Sequence, residues 1–334
     1  MIISRSPFRI SFFGGGTDYP AWFRERGGAV LGAAIDKYCY VSARCLPPFF
    51  EHKHRIVWSK IELVRETSEI RHPAVRATLQ ASGIPHGVEV SYNSDLPARS
   101  GLGTSSSFTV GLIHAFAAMK GMRASKQELA AEAIRIEQDV LKEAVGSQDQ
   151  VWAAFGGFNR IDFSTDGSFE VSPVILSRKR RDELEGALML FFSGFARDAQ
   201  TIAKKQIQNM DKRVSHLTTL RRMVDEASHL LHAQEFRLAE FGALLDESWA
   251  LKRELADGVT TPLVDEIYQS GRTAGAVGGK LLGAGGGGFI LFVVPPDRQQ
   301  QVRERLKRLV HVNFRFDTSG SKIITYDPDE VVYG

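Results

Sequence analysis

Residues 96–107 read Leu-Pro-Ala-Arg-Ser-Gly-Leu-Gly-Thr-Ser-Ser-Ser, a strand end followed by a tight glycine loop and a helix start. Such a segment builds an anion site. Small residues leave successive backbone N–H groups free to face phosphate oxygens, and the helix dipole adds a favourable field. Ser100, Gly101, Leu102, Gly103, Thr104, Ser105 and Ser106, with Pro97 at the strand end, are therefore candidate phosphate contacts, and the hydroxyls at 104–107 are of the type that also ligates magnesium. An ordinary Ser/Thr helix cap is the competing reading. Two better-known phosphate loops fail. Gly279-Lys280 has Ala274 where a P-loop needs glycine and Leu281 where it needs Ser or Thr, and 283–288 leads into a strand instead of a helix. Glu137 falls inside the apolar stripe of Ala130, Ile134 and Leu141, where a carboxylate is costly without a partner cation.

The scaffold beneath these residues reads as mixed. Apolar alternation predicts strands over 2–13, 30–35, 38–45, 57–64 and 87–92, with helices over 72–82 and 104–119. Ser125 and Glu128 form a capping box that opens another helix, and a hairpin around 158–163 turns at Asp166-Gly167. After the basic stretch 178–181, residues 187–192 read as a new buried strand, which places a domain boundary near 175–185 and divides the chain into 1–180 and 181–334. The second part is expected to hold at least two long helices between 211 and 255, a helix opening at Thr261-Pro262, a strand over 289–294, a helix over 296–309 and strands near 311–316 and 322–326. Two α+β domains with the site between them are the expected architecture.

Composition narrows the function classes. At 334 residues the chain exceeds the length at which one core usually stops growing, and 43% hydrophobic with 24% charged residues describes a folded globular protein. A net charge of +3 is too balanced for a protein that coats nucleic acid, yet it allows a local basic pocket for an anionic small molecule. Cys39 and Cys45 share parity with Val41 and Ala43 and read as apolar strand positions, excluding a disulfide framework. No apolar run approaches a membrane span, and Arg5 and Arg9 interrupt the stretch where a signal peptide would be apolar, so a cytoplasmic location is expected. Glycine stands out in placement: of its 31 occurrences, eight fall within 275–288, a density that marks close backbone approach.

Three separated segments resemble the ordered motifs of one family. They are Pro7-Phe8-Arg9-Ile10-Ser11-Phe12-Phe13-Gly14-Gly15-Gly16-Thr17-Asp18-Tyr19, the 97–107 loop, and Lys280-Leu281-Leu282-Gly283-Ala284-Gly285-Gly286-Gly287-Gly288-Phe289. In order and spacing they look like motifs one, two and three of the GHMP kinases, and the resemblance spans nearly the whole chain. It implies an N-terminal domain with a fold shared by a ribosomal protein, a ferredoxin-like C-terminal domain, and ATP and Mg2+ as cofactors. It further implies Ser105 and Glu137 as metal ligands and Asp149, in Gly146-Ser147-Gln148-Asp149-Gln150, as the catalytic aspartate. Arg9 would pair with Asp149 or draw charge from the transferring phosphoryl group, and whether Asp149 is a true base or an electrostatic positioner stays open.

Galactokinases carry Gly-Glu-His-Thr-Asp-Tyr where this chain has Gly14-Gly15-Gly16-Thr17-Asp18-Tyr19. The resemblance implies that Asp18 binds ring hydroxyls and that Gly15 and Gly16 make room for a longer or phosphorylated sugar tail, with Thr17, Gly285 and Gly286 also lining the substrate. Together with Ile35-Asp36-Lys37-Tyr38 and Gln148-Asp149-Gln150, the pattern is most similar to kinases of D-glycero-D-manno-heptose 7-phosphate, with L-fucokinase domains more distant. Position 147 is Ser where those heptose kinases are expected to carry Lys. A sugar phosphate needs cations, for which Arg99, Arg44, Arg197 and Lys204 are candidates. Another sugar 1-kinase, or a non-catalytic sugar and nucleotide sensor, is the alternative reading, and association into a homodimer is left open.

Overall fold

The computed structural model describes residues 1–194 and 199–328. The chain opens with β1 (Ile2–Phe13), whose second half is buried on both faces, and after α1 (Pro20–Arg26) returns antiparallel as β2 (Gly28–Cys45). The two strands expected over 30–45 are one. Register jumps from Pro7 opposite Tyr38 to Phe8 opposite Ile35, so Asp36 and Lys37 bulge out without breaking the strand. The strand expected over 57–64 is instead a hairpin, β3 (His54–Val57) and β4 (Ile61–Val64), because Ser59-Lys60 forms its turn.

Helix α2 (Pro73–Ser82) precedes β5 (Val88–Ser94), and the phosphate-type loop follows, leading into α3 (Thr104–Met119). Then come α4 (Lys126–Ile134), opened by the expected Ser125–Glu128 capping box, α5 (Gln148–Phe155), β6 (Phe158–Phe163) and β7 (Phe169–Pro173). The basic stretch is helical, α6 (Arg178–Ala187), capped by Ser177; only Leu184 and Ala187 are buried, so it carries little apolar periodicity. It feeds β8 (Leu188–Phe192), and α7 (Ala199–Asn209), absent from the sequence reading, precedes α8 (Val214–His232) and α9 (Leu238–Arg253). Helix α10 (Pro262–Thr273), strands β9 (Gly278–Leu281) and β10 (Phe289–Val293), helix α11 (Gln299–Arg305), β11 (Val310–Val312) and β12 (Lys322–Tyr326) complete the chain.

Two sheets organise these elements. The second is fully antiparallel in the order β11-β8-β10-β9, which with its intervening helices is the ferredoxin-like arrangement. The first runs β12-β1-β2-β5-β3-β4, with β6 and β7 extending from β2. Its outer member corrects the expected division, because β12 comes from the far end of the chain and pairs with β1 in the first sheet. The two halves also share one hydrophobic core. Phe12 makes edge contacts with Phe158 at 5.8 Å and with Phe241 of α9 at 5.6 Å, and Phe13 meets Phe241 at 5.4 Å. This aromatic cluster fixes the end of β1 immediately before Gly14.

Candidate active site

The acceptor side begins where β1 ends. Gly14 and Gly16 adopt positive φ, and a Cβ on Gly14 would lie 1.9 Å from the Ala29 carbonyl oxygen, so the loop closes tightly on β2. Thr17 is consumed in that closure: its Oγ1 lies 2.8 Å from Gly14 O and 2.9 Å from Ala29 O. It shapes the loop instead of contacting substrate. Gly16 likewise faces Leu217 and Leu255, whereas the space beside Gly15 is polar, bounded by Lys252 Nζ, Ser11 Oγ and Gln148 Nε2 at 3.9–4.0 Å from a built Cβ. Asp18 is 2% exposed. It accepts from Gly16 N at 3.0 Å and Gln148 Nε2 at 2.8 Å, while burial pushes its carboxyl up. Gly146 is required here, since a Cβ would lie 1.9 Å from Asp18 Oδ2.

Asp149 sits in the first turn of α5 and is held by Arg9 through two parallel bonds, Nε to Oδ1 at 2.8 Å and Nη2 to Oδ2 at 2.9 Å. Arg9 also grips the phosphate-type loop, with Nη1 donating to Gly101 O at 2.5 Å and its backbone N to Leu102 O at 3.0 Å. Gly103 closes the triangle: a Cβ there would lie 3.3 Å from both Asp149 Cγ and Arg9 Cγ. One guanidinium thus couples the acidic residue to the loop that the sequence assigns to phosphates. Thr104 Oγ1 accepts from Arg99 N at 3.1 Å, stabilising the loop, and Ser100 Oγ is buried without a partner. Pro97 is exposed at the loop's entrance.

Glu137 lies in a π-helical stretch, Arg135–Val140, that continues α4, a distortion often found at functional sites. Its Oε2 accepts from Ser106 Oγ at 2.8 Å and from Gln150 Nε2, and the Thr109 hydroxyl also favours the ionised form, whereas among the described residues no well-formed hydrogen bond reaches its buried Oε1. Burial raises this carboxyl to about 7. The serine that meets Glu137 is therefore Ser106, and Ser105 is exposed in the same turn. Adjacent helical residues point about 100° apart, so one hydroxyl faces the carboxylate and its neighbour faces away.

The glycine-rich turn between β9 and β10 reaches this loop backbone to backbone. A Cβ on Gly283 would lie 2.5 Å from Gly101 Cα and one on Gly288 2.2 Å from Ser100 O, and Phe289 N donates to Ser100 O at 3.2 Å. Gly285 and Gly286, expected at the substrate, instead pack on Val259, with Gly286 N donating to Val259 O at 3.0 Å. Among the candidate cations, Arg44 is paired with Glu89 at 2.6 Å on β2, Arg99 is exposed on the phosphate-type loop, Lys204 is exposed on α7, and Arg197 lies outside the described residues.

Two buried lysines were missed. Lys252 of α9 donates Nζ to Gly283 O at 2.6 Å, and Lys280 of β9 donates Nζ to Phe12 O at 2.7 Å. Burial lowers both amines, Lys252 to about 8 and Lys280 well below the usual lysine range. Lys280 stands inside the third motif and Lys252 among the apolar positions of α9; a cation at a core-facing helical position was the available signal.

Residues 66–157 match the model of the GHMP kinases N terminal domain, and residues 229–312 match that of the GHMP kinases C terminal. The chain belongs to the GHMP kinases. This GHMP kinase is 28% identical to D-glycero-alpha-D-manno-heptose 7-phosphate kinase of Campylobacter jejuni, over 92% of this chain and 93% of that enzyme. It is 29% identical to mevalonate kinase of Pyrococcus horikoshii over 70% of this chain and 67% of that enzyme. Its fold superimposes with a TM-score of 0.73 on the crystal structure of a D-glycero-D-manno-heptose 1-phosphate kinase from Bacteroides thetaiotaomicron, 26% identical and covering 97% of this chain and 99% of that one. ATP-dependent phosphoryl transfer is the chemistry of the family. Among the described residues no helix is long and apolar enough to cross a membrane.

Proposed function

We propose that this GHMP kinase transfers the γ-phosphoryl group of ATP to the anomeric hydroxyl of D-glycero-D-manno-heptose 7-phosphate, giving the 1,7-bisphosphate, a precursor of nucleotide-activated heptose for cell-surface polysaccharide. The observation that carries this reading is the coupling of Asp149, through Arg9, to the phosphate loop at Gly101, with the buried Asp18 beside it. Asp18 and Gln148 offer an acceptor and a carbonyl without partner to sugar hydroxyls, and the side chain missing at Gly15 leaves room for the tail. Near-full-length similarity to the Campylobacter jejuni heptose 7-phosphate kinase supports the choice of sugar.

In this mechanism Asp149 accepts the hydrogen bond of the attacking hydroxyl and takes its proton as the new P–O bond forms and the bond from the γ-phosphorus to the β,γ-bridging oxygen breaks, with ADP as the leaving group. Arg9 orients Asp149 through its two parallel hydrogen bonds and places positive charge next to the transferring group. The backbone of 100–104 and the start of α3 hold the ATP phosphates. Glu137, oriented by the hydrogen bond from Ser106 Oγ and with its buried Oε1 unbonded among the described residues, fits magnesium, a hard cation that takes few protein oxygens and completes its shell with phosphate and water. Bound there, magnesium would neutralise charge on the β- and γ-phosphates.

Purified protein incubated with ATP, Mg2+ and a panel of sugars and sugar phosphates tests the reading. Turnover is expected with the heptose 7-phosphate and far weaker turnover with L-fucose, galactose or mevalonate; a preference for one of these would replace the substrate, and no transfer to any acceptor would favour a sensor. Asp149→Asn is expected to lower kcat by roughly 10²- to 10⁴-fold while leaving the KM for ATP within about twofold. Full turnover in that variant would remove the assigned role.

A further inference from the structure

Lys252 is the cation that the sequence reading did not supply. It comes from α9, in the second half of the chain, yet its Nζ lies 3.9 Å from where a side chain at Gly15 would begin, on the acceptor loop of the first half. The ammonium is 7% exposed and makes one hydrogen bond, to Gly283 O, among the described residues. An ammonium has three protons to donate, so among the described residues two remain without a protein acceptor in a buried setting, which is costly unless a ligand supplies oxygens. The same space is bordered by Ser11 Oγ, buried without a partner among the described residues, and by Gln148 Nε2, which donates to Asp18. A buried ammonium with protons to spare and an unpaired hydroxyl, converging beside a glycine, describe a polar ligand subsite. A neutral hydroxyl would be served by Asp18, Gln148 and Ser11 alone; a buried cation adds demand for an anion.

We propose that Lys252 binds the acceptor's own phosphate ester in the gap beside Gly15, making it the residue that selects a phosphorylated sugar over the free one. The inference rests on the heptose phosphate reading and deepens it by assigning the phosphate subsite. The transferring phosphoryl group has its own cation, since Arg9 already spans Asp149 and Gly101. The groups that act electrostatically on Lys252 are Arg9 of β1, Asp18 of the acceptor loop, Asp149 of α5 and Lys280 of β9. Two acidic groups thus hold the ammonium protonated against burial and its cationic neighbours. The phosphate contact is expected to weaken as the pH rises above about 8.

Isothermal titration of the full chain, without ATP, against D-glycero-D-manno-heptose 7-phosphate and the unphosphorylated heptose reads the subsite directly. Wild-type protein is expected to prefer the phosphate ester. Lys252→Met should lose on the order of 10- to 100-fold in affinity for that ester and remain within about twofold for the free sugar, with the loss appearing in KM instead of kcat. Lys252→Arg should retain most of the preference, and an unchanged KM for ATP in both variants reports an intact fold. If wild-type protein prefers the phosphate ester and Lys252→Met does so equally, the assignment of Lys252 falls and the heptose phosphate reading stands. If Lys252→Met lowers kcat for both sugars with KM unchanged, Lys252 acts on the transferring group and the assignment also falls. If wild-type protein does not distinguish the two sugars, the phosphorylated-acceptor reading itself falls.

Discussion

Ser105 and Ser106 are neighbours in the chain and face different surroundings in the fold. Ser106 is buried against Glu137 while Ser105 is exposed. The sequence shows that a hydroxyl cluster opens a helix and that a carboxylate interrupts an apolar stripe, because both follow from residue type and a 3.6-residue period. Which serine meets the carboxylate depends on where Gly103, in left-handed conformation at φ +74, lets the helix begin. Outer hydrogen bonds that orient a ligating carboxylate commonly matter about 10- to 100-fold for metal affinity. Ser106→Ala is accordingly expected to raise the magnesium concentration for half-maximal activity about tenfold or more, measured by titrating Mg2+ at saturating ATP. An unchanged magnesium curve would separate Ser106 and Glu137 from the metal.

At the scale of elements, the decisive contact is the crossing of two loops, 100–104 and 283–288. Each is legible as glycine-rich, but their mutual approach is not, since 180 residues separate Gly101 from Leu282 and Gly283, a span roughly that of an independent domain. Gly101 adopts φ +83, and a Cβ there would lie 2.5 Å from Leu282 O. Gly101→Ala therefore combines left-handed strain of about 1–2 kcal/mol with a backbone clash. Its melting temperature is expected to fall by about 5 °C or more and its KM for ATP to rise about tenfold, by calorimetry and steady-state kinetics. Gly121→Ala is the matched comparison, with φ +67 and nothing within 4 Å of the added carbon; it should show the strain without the change in KM. If both variants behave alike, the loop crossing does not shape the nucleotide site. Helix α6 escapes a sequence reading because it buries only Leu184 and Ala187, too few positions to show a period.

The whole molecule is held by a core that ignores the division into halves, and Lys280 crosses it as a buried polar strap from β9 to the carbonyl of Phe12. Burial, then Lys252 and Arg9, lower its amine well below the usual lysine range, with Asp18 opposing. A lysine lowered in this way binds fewer protons folded than unfolded, so its contribution to stability increases as the pH rises from the folded value toward the unfolded one. Lys280→Met removes that dependence. The melting temperature of the variant relative to wild type is expected to be highest near pH 7 and to decline steadily toward pH 10, followed by circular dichroism. A difference independent of pH would show that the amine keeps its proton in the fold.

By itself the sequence determined the local features of this protein: a glycine loop ahead of a helix, a carboxylate where burial is costly, Arg9 and Asp149 within recognisable motifs, and a mixed α+β fold. These depend on residue type, spacing and short-range geometry, which are written along the chain. Only the tertiary structure decided that β12 returns to the first sheet, that Gly285 and Gly286 serve Val259 while Gly283 and Gly288 serve the phosphate loop, and that Lys252 crosses to Gly15. Each of these is a contact between segments far apart in sequence. Their pairing follows from shared burial and shape complementarity across the whole core, which no local pattern encodes.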